Sequence, residues 1–307
     1  MMVMENSKQR GLLYRALRAG FRAMPYPLRA ALLEALNSET RRLKSLKRRA
    51  ASSVSRQRCS VCNRRVNRFD PFTPEYKEEI RSYGYIYTFD DAETCNADAY
   101  TCHWCGASDR DRLYALYLRD YFRPVASTNP ETDPIRIIDF APTLPLSSFI
   151  KRLIADSPRK FSYRTADLFA EGVDDQVDIM DMKIYSDNSV DFFICSHILE
   201  HVTDDKKALA ELYRILKREG QGILVVPIVL AAEEIDEDPS VTDVAERWRR
   251  FGQNDHVRLY SKDGFLTRVR QAGFTVRQLG QEHFGRNNFM KYGITERSVL
   301  YIVEKHD

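Results

Sequence analysis

A mixed α/β fold, preceded by a cysteine-rich module and a basic helical arm, is what three observations in this sequence predict. Residues Asp191 to Pro227, DFFICSHILEHVTDDKKALAELYRILKREGQGILVVP, read as strand, amphipathic helix and strand without a break, which is one βαβ crossover and hence a parallel sheet. The apolar runs Ile135–Phe140 and Ser298–Glu304 read as further strands on either side of it. Two Cys-x-x-Cys pairs, CSVC at Cys59 and Cys62 and CHWC at Cys102 and Cys105, precede the first of these strands.

A chain of 307 residues, 43 % apolar and 30 % charged, holds one full α/β domain plus a smaller module, and its composition excludes fibrous and disordered classes. The net charge of +3 hides an asymmetry: residues 1–58 carry fourteen Lys and Arg against three Glu, +11, which leaves −8 for the rest. No secretory leader is expected, and the longest apolar run, Ile223–Ala232, is about half a membrane span. Six cysteines, four of them in paired knuckles, fit metal binding in a reducing cytoplasm better than a disulfide framework. The expected location is therefore cytoplasmic, with peripheral membrane contact open through the basic arm.

In chain order, residues 8–36 carry leucines at helical spacing interleaved with arginines, and Pro25 and Pro27 must break or kink that helix. Arg41–Arg58 continues as a basic linker. Three readings of the arm, residues 1–58, stay open: a solvated extension packing on its own domain, contact with an anionic membrane surface, and contact with RNA. Residues 59–127 form the next unit. Four sulfurs from Cys59, Cys62, Cys102 and Cys105 complete a closed structural Zn²⁺ site, although the 39 residues between the pairs exceed the usual ribbon spacing. Four thiolates around Zn²⁺ leave a charge of −2, which Arg64, Arg65, Arg110 and Arg112 are placed to offset. Cys95 is a spare thiol and His103 a filler inside a knuckle. A helix follows, capped at Ser108 or Asp109, with Leu113, Leu116, Tyr117 and Tyr121 on one face. TNPETDP, Thr128–Pro134, is a polar linker and marks the boundary to residues 128–307.

In that third unit, Ile135–Phe140 leads through the turn APTLPLSS into the helix SSFIKRLIA. A second strand ends in YRTADL, and VDIMDM supplies Asp178 and Asp181. The run Phe192–Cys195 stops at Ser196 and His197, delivering polar groups to the carboxyl edge of the sheet, where ligands bind. Asp204 or Asp205 caps the next helix, Lys217, Arg218 and Gly220 form its cationic last turn and C-cap, and Gly222–Pro227 is the following strand.

The segment reading "apolar run, LEH, helix, R-x-L-K-x-x-G" resembles the class I S-adenosylmethionine-dependent methyltransferases. That resemblance implies a Rossmann-like sheet whose seventh strand, Ser298–Glu304, is antiparallel, and a cofactor laid across the strand tips. The usual glycine-rich cofactor turn is absent: Asp139, Phe140, Ala141 and Pro142 are similar to the "H-F-A-P-E" version found in zinc-bearing relatives, with Asp139 for the His and Thr143 for the Glu. By the same resemblance Asp167 with Leu168 takes the ribose, Asp178 with Ile179 the adenine (a one-residue slip promotes Asp181), and Ser196 lies near the sulfonium. His197 is a candidate base, beside its alternative as a wall of the pocket. His256, in the polar loop with Asp255 and Arg258, is a second. The acidic stretch Ala231–Trp248 occupies the place of an acceptor lid. The function implied is methyl transfer to a small-molecule or saccharide acceptor, with oxygen preferred. The alternatives are an RNA base methyltransferase and a catalytically silent zinc-bearing scaffold that binds a partner.

Overall fold

A computed structural model describes residues 57–122, 134–155, 157 and 159–306. The basic arm therefore lies outside the described residues apart from Gln57 and Arg58, and so does the Thr128–Pro134 boundary apart from Pro134.

The cysteine-rich part opens with a short hairpin of β1 (Gln57–Arg58) and β2 (Arg65–Val66), followed by α1 (Pro74–Ser82) and α2 (Asp109–Tyr121). Ser108 starts α2 with a reciprocal capping box: its hydroxyl accepts from the Asp111 amide while the Asp111 carboxylate accepts from the Ser108 amide. Next come β3 (Ile135–Phe140), α3 (Leu144–Ala155), β4 (Phe161–Asp167), β5 (Asp175–Gln176), β6 (Val190–Ser196), α4 (Asp205–Ile215) and β7 (Leu216–Val225). The chain ends through β8 (Asp236–Glu237), α5 (Val244–Phe251), β9 (Arg258–Leu259), α6 (Lys262–Gln271), β10 (Thr275–Leu279), α7 (Gln281–Phe284), α8 (Arg286–Tyr292) and β11 (Leu300–Glu304).

Seven of these strands form one sheet in the order β10-β11-β7-β6-β3-β4-β5. Only β11 runs antiparallel to its neighbours, β7 and β10. This is the Rossmann-like sheet of class I methyltransferases that the sequence resemblance implies.

Both faces of the sheet are covered, which is why its central strands are apolar almost throughout. On one face Leu209 and Leu212 of α4 and Phe265 and Val269 of α6 pack on Ile138, Phe193 and Leu224. On the other, Leu113, Tyr114 and Leu118 of α2 share a core with Ile137, Ile194 and Ile223 and with Cys59 and Cys102. The cysteine-rich part thus supplies a layer of the sheet's own core. Each large apolar side chain buried there contributes about 1.5–3 kcal/mol, which ties α2 firmly to the sheet.

Two local expectations are corrected. Helix α3 begins at Leu144 rather than near Ser147, because Pro145 falls in the first turn, where the missing N–H costs nothing. Helix α4 stops at Ile215, so Lys217, Arg218 and Gly220 belong to β7. Lys217 Nζ instead reaches both oxygens of Asp191 at 2.8 Å, and Lys305 Nζ takes the carbonyls of Tyr213 (2.8 Å) and Leu216 (2.9 Å) at the helix end. A register shift against β6 absorbs the extra residues. Gly222 is required there, since a β-carbon would lie 2.4 Å from the Phe193 ring.

Candidate functional site

Two centres emerge: a four-cysteine cluster, and the carboxyl edge of the sheet. The cysteines stand on a pair of equivalent knuckles. In each, the residue after the second cysteine turns left-handed, Asn63 at φ 59° and Gly106 at φ 79°, and its amide donates to the carbonyl of the first cysteine, at 2.9 and 2.8 Å. The Sγ atoms of Cys59 and Cys105 are 3.8 Å apart and those of Cys62 and Cys102 3.9 Å. Four sulfurs held about 2.3 Å from a tetrahedral zinc would be separated by about 3.8 Å, so the donor set fits Zn²⁺ as it stands. The same distances are far too long for disulfides. Cys95 is outside the cluster, and burial pushes its thiol up to about 12.

At the sheet edge the chain winds outward through β3, β4 and β5 and then returns to the other side of β3 as β6, which makes the crevice between β3 and β6 the switch point. Ala141, one residue past β3, adopts φ 48°, the conformation a glycine would take more cheaply by about 1 kcal/mol. Its amide donates to Ala166 O at 2.8 Å, and Pro142 has none, so neither supplies a main-chain donor to a ligand. Phe140 is buried in the core. Asp139 is turned inward as well: it is 2 % exposed and accepts from the Tyr163 hydroxyl at 2.6 Å. Burial pushes its carboxyl up to about 7, with Asp111 adding to the rise and Tyr163 opposing it.

The tips of the neighbouring strands are more open. Asp167, at the end of β4, accepts from the amides of Phe169 and Ala170 at 2.7 Å each, both on Oδ1, so Oδ2 takes no part in the cap. Leu168 and Phe169 beside it are exposed. Asp178 is half-buried and its Oδ1 accepts from Met180 N at 2.8 Å, with Ile179 buried next to it. Asp181 is exposed and paired with Lys183. Ser196 ends β6 and shares a 2.8 Å hydrogen bond with the buried Tyr114 hydroxyl.

His197 turns left-handed at φ 58° and is held from both sides. Its Nε2 meets the Arg110 guanidinium, which can only donate, so the imidazole proton is on Nδ1, 3.1 Å from Glu200 Oε1. Burial lowers His197 to about 4, Arg110 adds to the fall, and Glu200 opposes it. Glu200 is fully buried; burial alone would raise it, but His197, His256 and His201 outweigh that and hold it at about 2. His256 is buried too, 4.7 Å from the His201 ring, with burial depressing its basicity and its Nδ1 on Phe251 O at 3.2 Å.

Sequence reasoning missed the contribution of α2. Arg110 and Tyr114 stand one helical turn apart and meet His197 and Ser196, so the cysteine-rich part delivers two side chains to the sheet edge. Arg110 therefore does not serve the thiolates. Arg112 is fully buried and donates to the carbonyls of Ala99, Tyr100, Ala107, Tyr292 and Gly293, holding the knuckle loops to the end of α8. Arg258, also buried, fastens the loop after β6 through the carbonyls of Leu199, Val202 and Thr203. In the acidic stretch, Asp236 and Asp238 pair with Arg250, and Glu237 pairs with Arg258 and Arg268. Trp248 stacks on Tyr83 at 5.5 Å, which fastens this stretch to α1 and its flank. Among the described residues no helix is long and apolar enough to cross a membrane.

Residues 160–224 match the methyltransferase domain family, a span running from the start of β4 to β7. No curated protein matches the chain. Among solved structures, the CurJ carbon methyltransferase is 15 % identical over 59 % of this chain and 50 % of that one, with a TM-score of 0.38. The YcgJ protein of Bacillus subtilis is 15 % identical over 64 % of this chain and all, 100 %, of its own, with a TM-score of 0.37. The 1,6-didemethyltoxoflavin N1-methyltransferase of Burkholderia thailandensis, solved with S-adenosylhomocysteine, is 12 % identical over 57 % of this chain and 72 % of its own, with a TM-score of 0.37. At these values the likeness is partial, and the functional reading rests on the chain's own residues.

Proposed function

We propose that this chain is an S-adenosylmethionine-dependent methyltransferase acting on a small-molecule or saccharide acceptor, with oxygen as the methylated atom. One observation supports the reading: β4 and β6, the two neighbours of β3, end at Asp167 and Ser196, and Asp178 follows β5 two residues on. The Asp167 carboxylate suits the ribose diol, Leu168 offers apolar surface to the adenine, Asp178 accepts from its amine, and the main-chain amide of Ile179 suits its ring nitrogen. Because the Ala141 amide is committed to β4, the bend after β3 contributes shape rather than donors.

The cofactor supplies an activated methyl group; the protein's part is alignment. Arg110 and Ser196 carry hydrogen-bonding groups at the tip of β6 that suit an oxygen-bearing acceptor, with the buried Tyr114 hydroxyl behind Ser196. His197 holds Arg110 in place and is not a free base, since its Nε2 lone pair faces the guanidinium. Cys59, Cys62, Cys102 and Cys105 would hold a structural Zn²⁺, which fixes the knuckles that lead into α2 and so the position of Arg110 and Tyr114. An RNA base as acceptor is less favoured, because the stretch over the acceptor side is acidic and its neighbouring arginines are paired within the protein.

The test is calorimetric titration of S-adenosylhomocysteine into the wild type and Asp167→Asn. The amide retains an Oδ1 for the turn and removes the charged fork, so affinity is expected to fall about tenfold or more, the effect of losing charge-assisted bonds worth about 1.5–3 kcal/mol, with unfolding unchanged. Equal affinity would remove Asp167 from the site. Absence of wild-type binding at millimolar ligand would favour the silent scaffold.

A further inference from the structure

The loop beyond β6 buries a carboxylate that the protein itself leaves unsatisfied. Glu200 is fully buried, and neither Oε1 nor Oε2 has a hydrogen-bond partner among the described residues. The His197 Nδ1 contact at 3.1 Å falls outside hydrogen-bond geometry and is electrostatic only. An ionised carboxylate in that state costs several kcal/mol unless a cation faces it, and native proteins rarely leave one so.

Two imidazoles lie beside it. Val257 N donates to Glu200 O at 2.9 Å, which brings the residue before it, His256, alongside. His256 Nδ1 lies on Phe251 O at 3.2 Å, so the proton is on Nδ1 and Nε2 keeps its lone pair. His201 is arranged in the same sense: its Nδ1 faces Asp255 Oδ2 at 3.6 Å and its Nε2 faces Glu200 Oε1 at 3.9 Å. A carbonyl hydrogen-bonded behind the ring, as Phe251 O is behind His256, is how proteins fix the tautomer of a metal-binding histidine, whereas Asp255 at 3.6 Å is a charge beside His201 rather than such a bond. One donor atom from each of Glu200, His201 and His256 lies within 4.8 Å of the other two.

We propose that Glu200, His201 and His256 form a second metal site, distinct from the four cysteines, that takes a divalent transition ion of the Zn²⁺ or Co²⁺ kind. Two nitrogens and one carboxylate oxygen suit such ions better than Mg²⁺ or Ca²⁺. Ligands about 2.0–2.1 Å from a tetrahedral ion stand about 3.4 Å apart, so the 3.9 Å His201–Glu200 separation needs to close by about half an ångström and any donor pair near the 4.8 Å limit by about 1.4 Å. Three protein ligands leave a coordination position for water. That an acceptor oxygen could take it rests on the methyl-transfer reading; the ion itself does not.

The experiment uses the full chain, free of affinity tags and loaded with zinc at the cysteines, dialysed against Co²⁺. Bound metals are counted by mass spectrometry and bound Co²⁺ is observed by absorption. The expected result is one Co²⁺ per chain in addition to the zinc, without a thiolate-to-cobalt charge-transfer band, and at least tenfold weaker binding in both His256→Ala and His201→Ala. No bound Co²⁺, binding only with the thiolate band, or unchanged binding in these variants would overturn the proposal. If His256→Ala does not fold, His201→Ala decides alone, since that side chain is only partly buried. No S-adenosyl ligand enters the assay, so a negative result leaves the methyl-transfer reading intact.

Discussion

Asp139 gives the sharpest energetic prediction, because it places an ionisable group where water cannot reach it. Its carboxyl, ordinarily at 3.8, is held at about 7, chiefly by burial. The folded protein therefore keeps the proton over a range in which the unfolded chain releases it. Below pH 3.8 both states are protonated and nothing is lost; from there to about 7 stability falls as pH rises; above 7 the loss is constant. At about 1.36 kcal/mol per pH unit, the segment from pH 5 to pH 7 is worth roughly 3 kcal/mol. Asp139→Asn removes the titration and still offers Tyr163 an acceptor. Urea unfolding of both proteins at pH 5, 6, 7 and 8 should show the variant gaining on the wild type by roughly 3 kcal/mol from pH 5 to pH 7 and then levelling. Any fixed cost of the buried amide shifts the whole curve and leaves this slope alone. A difference that stays flat from pH 5 to pH 8 would refute the reasoning and mean that Asp139 is ionised throughout.

Three further outcomes are expected. Cys102→Ser should lower zinc content and thermal stability together, since Cys102 is fully buried in the core shared with α2; a fully zinc-loaded variant would exclude it as an essential ligand. Gly222→Ala should lower the urea midpoint by the equivalent of about 1–3 kcal/mol, because its β-carbon would overlap the Phe193 ring, and a wild-type midpoint would contradict the packing. Tyr114→Phe should cost about 1 kcal/mol in unfolding experiments through the lost bond to Ser196, and no change would place that hydroxyl in water.

The sheet was legible in the sequence because its signals are local and strong. The βαβ crossover and the Ser108 and Asp204 caps follow from apolar runs and short polar side chains that act on their own neighbours, whereas the antiparallel direction of the last strand came from the family resemblance. The paired knuckles were legible for the same reason. What escaped depends on contacts between distant segments. The extension of β7 back to Leu216 turns on Lys305, 89 residues away, taking the carbonyl that a C-cap would otherwise serve. Arg110 reads like any other cation beside the thiolates until α2 packs on β6 and aims it at His197, 87 residues on. Asp139 looks like an edge acid, and only Tyr163 from the adjacent strand shows that it faces inward. That the Glu200 carboxylate has no hydrogen-bond partner among the described residues could not be inferred from the letters LEH, since this is a property of the whole surrounding shell.

The most direct test of the central claim is a crystal structure of the full chain with S-adenosylhomocysteine. The account predicts the adenosine at the tips of β4 and β5, with the ribose hydroxyls on Asp167 Oδ2 and the adenine beside Leu168 with its amine on Asp178. A nucleoside bound elsewhere, or one at this edge that leaves Asp167 untouched, would contradict it.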